Sequence, residues 1–326
     1  MANPNPYVAS QLLASARRKG QIPESSDRSF SETDLLELMS EELQTYVVPL
    51  LMSVREEWMV KAYDVEIGSG TSYRIPVRSV GSKLRQVLVS NGNATNSGAN
   101  QWVVLQRIEP IDQYQNYFGN SWNPGSVQGY YLENTDLRLL ANPPQGSTLR
   151  MMYFLRPNRI VAQDACGTIT AINTGLNQIT IDPEAMPLGD DDAFGTQFTY
   201  DLVRGTPGFE TLAMDQTVTA VSGADDNVFT FADTLPSGLA VGDFMCLAGE
   251  APVAQIPVEM QPLLTQALVV KVLEALGDPK VAVAQSKLDL QKKLAVDILT
   301  SNRTEGDPRF VINTTGPGWG RKRWGW

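Results

Sequence analysis

Apolar residues recur every three or four positions in two stretches, and alternate with polar ones through the long middle between them. The first stretch carries Leu35, Leu36, Leu38, Met39, Leu43, Tyr46, Val47, Leu50, Leu51, Val54 and Trp58. That spacing gives a helix one apolar face. Ser31 precedes it as an N-cap, and Glu32 and Asp34 place negative charge at the positive helix end. Pro49 falls inside the pattern, removes a hydrogen bond and disfavours helix at Val48. A kink near 45–49, or two helices end to end, is expected. The second stretch carries Leu263, Leu264, Leu268, Val269, Val272, Leu273 and Leu276, with Pro257 or Pro262 suited to its first turn. Gly277 suits the C′ position, and Asp278-Pro279 restarts a helix through Leu288, Leu294, Ile298 and Leu299. If these helices form one layer, residues near 35–58 must touch residues near 263–299.

Between them the pattern changes to strands. Ala62–Ile67, Tyr73–Val77, Arg85–Ser90 and Gln101–Ile108 are rich in Val, Ile, Leu and aromatics, and Gly-Ser-Gly at 68–70 and Asn-Gly-Asn at 91–93 punctuate them. Gly129–Glu133 and Asp136–Leu140 read as a hairpin about Glu133-Asn134-Thr135, and a Pro-Pro turn leads into Thr148–Arg156.

The segment 164–254 contains an internal repeat. Thr168-Ile-Thr-Ala-Ile172 is answered by Thr217-Val-Thr-Ala-Val221, and Asn177-Gln-Ile-Thr-Ile181 by Asn227-Val-Phe-Thr-Phe231. Met186-Pro187 is answered by Leu235-Pro236, and Phe198 before Gly205 by Phe244 before Gly249. Half a unit cannot bury its apolar face alone. Two halves related by a pseudo-twofold would close into a small barrel; the plainer alternative is a β-meander whose hairpins look alike.

The expected fold class is therefore α+β. A small helical layer from 31–61 plus 257–302 carries a large β-rich insertion. The insertion comprises a sandwich-like region at 62–163 and a duplicated barrel at 164–254. Residues 1–30 read as an N-terminal arm with a short helix from Pro6 to Arg18, and 303–326 as an extended docking tail.

A hydrophobic fraction of 42% supplies a real core. The net charge of −10 is opposite to that of a general nucleic-acid binder. Histidine is absent, which removes the commonest general base and metal ligand. Cys166 and Cys246 read as separate buried small residues rather than a bridge. No signal-peptide core opens the chain, and no run of about 18 apolar residues exists to span a membrane. Synthesis and assembly in a cytoplasm are expected.

Little in the chain suggests catalysis. Asp190-Asp-Asp192 lacks the alternating ligands and turn glycine of a calcium loop. Gly316-Pro-Gly-Trp-Gly320 follows no strand and opens no helix, so it is not a phosphate loop. No catalytic, metal or cofactor-binding residue is singled out. Two features suit binding instead. Tyr114, Tyr117, Phe118, Trp122, Tyr130 and Tyr131, set among Asn, Gln and Gly, could stack on sugars or fill a protein interface, or simply be core. The last eleven residues hold three tryptophans, three basic residues and four glycines. Trp319, Trp324 and Trp326 need cover, and Arg321, Lys322 and Arg323 suit carboxylates, so the tail reads as docking on a protein groove, with a nucleic-acid backbone or plain disorder as the alternatives.

Several segments resemble the head–tail connector, or adaptor, proteins of tailed bacteriophages. Ser31-Glu-Thr-Asp-Leu-Leu-Glu-Leu-Met-Ser-Glu-Glu-Leu-Gln-Thr45 and Val48-Pro-Leu-Leu-Met-Ser-Val-Arg-Glu-Glu57 are similar to the family's opening helix. Tyr73-Arg-Ile-Pro-Val-Arg-Ser-Val-Gly-Ser-Lys-Leu-Arg85 resembles its first hairpin, and Leu149-Arg-Met-Met-Tyr-Phe-Leu-Arg-Pro157 a recurrent phage strand. Gly238-Leu-Ala-Val-Gly-Asp243, Ala248-Gly-Glu-Ala-Pro-Val-Ala-Gln-Ile-Pro257 and Val270-Lys-Val-Leu-Glu-Ala-Leu-Gly-Asp278 complete the series, which spans roughly 30–312. The resemblance implies a non-enzymatic virion protein without a cofactor. Twelve copies would form a ring beneath the portal protein, bridge it to tail or nozzle proteins and line the exit channel for double-stranded DNA. The tail residues would contact the portal or a neighbouring subunit, and Tyr114, Tyr117, Phe118 and Trp122 tail-side parts. A nozzle subunit, or a receptor- or carbohydrate-binding tail module, is the alternative.

Overall fold

The computed structural model describes residues 7–22, 30–90, 102–108, 129–140, 146–182, 194–222 and 227–300. Helices and strands form an α+β fold with several sheets. In the N-terminal part, α1 spans Ala9–Gly20, α2 spans Glu32–Glu42 and α3 spans Val48–Val54. The Ser31 hydroxyl accepts from the Asp34 amide at 3.1 Å, and the Asp34 carboxylate accepts from the Ser31 amide at 3.0 Å. This reciprocal capping box fixes where α2 begins. The kink expected around Pro49 takes the form of a π-helical turn, Leu43–Val47. The Val48 amide reaches back to the Leu43 carbonyl, so the chain gains a residue where the proline ring would meet the preceding turn. Trp58 lies past the end of α3, in a 3₁₀ turn, Glu56–Met59.

The C-terminal part supplies α4, Gln261–Leu276, and α5, Val281–Leu299. Gly277 closes α4 with φ +67°, and the amide of Asp278 donates to the Leu273 carbonyl at 3.0 Å. A Cβ there would be strained, which is why glycine ends the helix. The Asp278 carboxylate accepts from the Lys280 amide at 2.8 Å and starts the turn into α5. α4 is buried on nearly all sides, against α1, α2 and α5. The required long-range contact is present: Leu35, Met39 and Leu51 share one core with Leu264, Leu268 and Leu288. The first 30 residues are not wholly an arm. Ala9, Leu12, Leu13 and Ala16 recur at helical spacing and sit in that same core.

The first β region holds two four-stranded sheets. β1 (Val60–Glu66), β3 (Ser79–Ser90), β4 (Trp102–Val104) and β8 (Thr148–Leu155) form one, in the order β1-β8-β3-β4. β2 (Ser72–Arg74), β5 (Gln106–Arg107), β6 (Gly129–Glu133) and β7 (Asp136–Leu139) form the other, in the order β2-β7-β6-β5. Both feed one cluster that includes Tyr73, Val87, Leu137, Leu149 and Met151. The single strand expected over 101–108 is divided. β4 pairs with β3 and β5 pairs with β6, so the chain changes sheets at buried Leu105. β2 stops at Arg74, earlier than expected, two residues before Pro76, which has no amide to give a ladder.

β9 (Arg159–Ile160) then pairs in parallel with β16 (Glu250–Ala251). Between them β10 (Gly167–Asn173), β11 (Gln178–Ile181), β12 (Thr199–Val203), β13 (Thr211–Ser222), β14 (Val228–Phe231) and β15 (Phe244–Leu247) close into a barrel in the order β10-β11-β14-β13-β12-β15. Exchanging the two halves of the repeat leaves this order unchanged. The bulges match as well: one lies between Ile169 and Ala171, the other between Val218 and Ala220. The pseudo-twofold passes through the pairs Asp201↔Cys246 and Ile179↔Phe229. One expected correspondence is corrected by a residue. Pairing sets Thr199 against Thr217 and Phe244 against Thr168, so Thr199 rather than Phe198 is the partner of Phe244 in the repeat. Hence Tyr200 and Met245 both point into the barrel, while Phe198 is exposed.

The two thiols are free and buried, as expected, and lie within hydrogen-bond reach of each other. Both are buried in a cluster outside the barrel with Val8, Val203 and Phe209. Burial, then the hydrogen bond with Cys166, pushes the Cys246 thiol well above its ordinary range.

Two tests follow from this packing. At Gly205 a Cβ would sit 2.2 Å from the Gly242 carbonyl oxygen. Gly205→Ala should cost about 1–3 kcal/mol in urea unfolding. Burial raises the Glu42 carboxyl above its ordinary 4.5, against the pull of Lys271 at 3.8 Å. A raised carboxyl stabilises the fold below its unfolded value, and that contribution is lost as pH rises through the folded value. Glu42→Gln should therefore shrink the loss of Tm between about pH 4 and about pH 7 relative to the unsubstituted chain.

Candidate functional site

The residues expected to bind partners, Trp319, Arg321, Lys322, Arg323, Trp324 and Trp326, and Tyr114, Tyr117, Phe118 and Trp122, lie outside the described residues, as does Asp190-Asp-Asp192. Of the aromatic stretch, Tyr130 and Tyr131 are described. Tyr130 is buried in the core shared by the two sheets, and burial raises its hydroxyl above the usual tyrosine value. It is a packing residue.

The most connected polar site was not singled out in the sequence. The Asp201 carboxylate, fully buried on β12, accepts from the Arg78 guanidinium, from Asn158 Nδ2 at 2.7 Å and from the Gly249 amide at 3.0 Å; its other oxygen accepts from the Asp215 amide at 3.0 Å. Arg78 also donates to Asp215 at 2.7 Å. Burial pulls the Arg78 guanidinium down, but the hydrogen bonds and charges of Asp201 and Asp215 outweigh it and hold it above its ordinary value. The Asn158 amide donates to Gln255 Oε1 at 2.9 Å, and Gln255 Nε2 to the Thr211 hydroxyl at 2.7 Å. One buried network thus ties the loop before β3 to the barrel and to the segment leading into α4.

Beside this network lies a cleft of about 350 Å³ lined by Trp58, Lys61, Pro157, Phe209, Glu210 and Gln255, among others. Glu210 faces Lys61 at 3.7 Å and Arg204 at 3.0 Å. Thr211 already receives Gln255, so the cleft offers apolar surface between Trp58 and Phe209 more than reactive groups. Among the described residues, no three His, Cys, Asp or Glu side chains gather as a metal site. No helix there is long and apolar enough to cross a membrane.

The second surface is on α5. Ala284, Leu288, Ala295 and Leu299 face the core. Val283, Leu290, Leu294 and Ile298 form a separate stripe, each more than half exposed. Over the fifteen steps from Val283 to Ile298 a helix advances about 22 Å. Lys287 interrupts the stripe between Val283 and Leu290; Leu290, Leu294 and Ile298 are its unbroken part, an exposed apolar surface of the kind that suits an interaction face. The only sequence signal for it was that Leu294 and Ile298 fit the helical pattern, which cannot tell an inner stripe from an outer one.

No protein-family model matches the chain, and no curated protein gives a significant match.

The buried network gives a direct test. Arg78→Met leaves the Asp201 charge buried without its cation and should cost about 3–5 kcal/mol in denaturant unfolding. A loss within about 1 kcal/mol, the range of an exposed ion pair, would deny the network its role.

Proposed function

We propose that the chain is a structural virion protein: a connector subunit that forms a ring between the portal and the tail of a bacteriophage and surrounds the DNA exit path. The observation that carries this reading is the helical layer, whose α5 keeps a second apolar stripe uncovered while its first is buried. A subunit built to pack against other protein chains needs such a face. The segments that resemble connector proteins add support, since they converge on the buried network. Arg78 lies in the first hairpin segment, Asn158 directly follows the recurrent strand, and Gln255 lies in the stretch before α4. The charge is also suitable. At −10 per copy, an acidic channel wall repels DNA and keeps it from sticking in passage. The proposed place is the virion neck, after assembly in the host cytoplasm, with the 303–326 tail docking on the portal or on a neighbouring subunit.

A phage whose copy of this gene is interrupted should fill heads with DNA yet release no tailed particles, and the chain supplied in trans should restore them. Complete tailed particles that fail only in host attachment would support the receptor-binding tail module instead.

A further inference from the structure

The barrel's internal symmetry gives each half one pair of groups at equivalent positions. The repeat that equates Thr168 with Thr217 equates Cys166 with Asp215, and the step that equates Met245 with Tyr200 equates Cys246 with Asp201. In one half the pair stands across the β12–β13 seam and is tied by a third side chain, since Arg78 donates to both Asp201 and Asp215. In the other half two free thiols stand across the β10–β15 seam. Among the described residues that seam is the barrel's shortest, with only the pairs Gly167↔Met245 and Thr168↔Phe244 in register.

The strand geometry brings the two sulfurs to bonding reach. The Ile169 amide donates to the Asp243 carbonyl at 2.8 Å, which makes those two a hydrogen-bonded pair. Such pairs alternate with non-hydrogen-bonded ones, so Gly167 and Met245 are hydrogen-bonded and the next step, Cys166 opposite Cys246, is not. Cys166 keeps extended backbone, with φ −128° and ψ 142°, so the register carries on to it. Non-hydrogen-bonded pairs set their Cα atoms about 4.5 Å apart, with the side chains close, and a disulfide spans about 4.4–6.8 Å. Both side chains also point the same way, out of the barrel into the cluster of Val8, Phe209 and Val253.

We propose that Cys166 and Cys246 are an oxidisable pair that closes to a disulfide under peroxide and clasps β10 to β15. One sulfur takes an oxygen atom from the peroxide as a sulfenic acid, and water leaves; the second sulfur then displaces that hydroxyl as another water. Two thiols and one hydrogen peroxide thus give one disulfide and two waters. Burial keeps Cys246 in its thiol form, so the reaction waits on brief local opening of the cluster. The chain stays a dithiol in a reducing cytoplasm and gains its clasp in oxidising surroundings. Everything from β10 to β15 lies within the closed loop, so the bond restricts the unfolded chain strongly. The inference goes beyond the connector reading and does not depend on it.

The test treats the full-length folded chain with hydrogen peroxide and then alkylates it in denaturant. The chain has two cysteines, so the product is unambiguous. The oxidised chain should be lighter by about 2 Da, take up no alkyl groups, and yield Cys166 and Cys246 peptides joined within one monomer. Its urea midpoint should rise on oxidation and return with dithiothreitol. Cys166→Ala and Cys246→Ala should each abolish that reversible rise. Thiols that stay alkylatable after peroxide, a gain of two oxygens on one sulfur, disulfide-linked dimers, or a midpoint lowered by the bond would each overturn the proposal.

Discussion

A single buried carboxylate, that of Asp201, determines how the parts of this molecule are joined. A charge taken out of water is tolerated only when its lone pairs are filled and a counter-charge is at hand. Asp201 meets both conditions, but with groups drawn from far along the chain: Arg78, Asn158, Asp215 and Gly249. None of these donors can shift without exposing that cost. The barrel, the loop before β3 and the segment leading into α4 are accordingly locked in one arrangement, and the orientation of the helical layer is set with them.

The barrel's symmetry explains why the lock sits where it does. Asp201 and Cys246 occupy equivalent places in the two halves and pair with each other across β12 and β15. Both point out of the barrel, since Tyr200, Leu202 and Met245 fill its interior. Alike in the repeat, they meet unlike surroundings. Cys246 is covered by the apolar cluster of Val8, Phe209 and Val253, and Asp201 by the polar network. The symmetric pairing builds the barrel, and this departure from symmetry attaches it to the rest.

Local signals in the chain were enough for most elements. The capping box at Ser31, the left-handed Gly277 and the hairpin at Asn134, with φ +57°, are each decided by a few neighbouring residues, and all are where the pattern placed them. The repeat also foretold a closed barrel, because its halves share one alternation. Features that depend on distant partners were hidden. Arg78 and Asp201 are separated by 123 positions, and nothing near either says that one neutralises the other. Leu105 looks like any strand residue, yet the chain changes sheets there: its amide still donates to Val87 in the first sheet, and Gln106 and Arg107 pair with β6 in the second. The outer stripe of α5 was hidden for a different reason: periodicity marks apolar faces without saying which of them folding will cover.

The helical layer keeps an apolar face open on α5, as the proposed ring subunit would need. The central claim, that this layer builds a ring at the neck of a phage particle, is tested most directly by electron cryo-microscopy of the intact particle. The account predicts copies of this fold arranged in a ring between portal and tail, helical layers side by side, with α5 buried between neighbours. Copies found at the tail tip or on fibres, with α5 facing solvent, would contradict it.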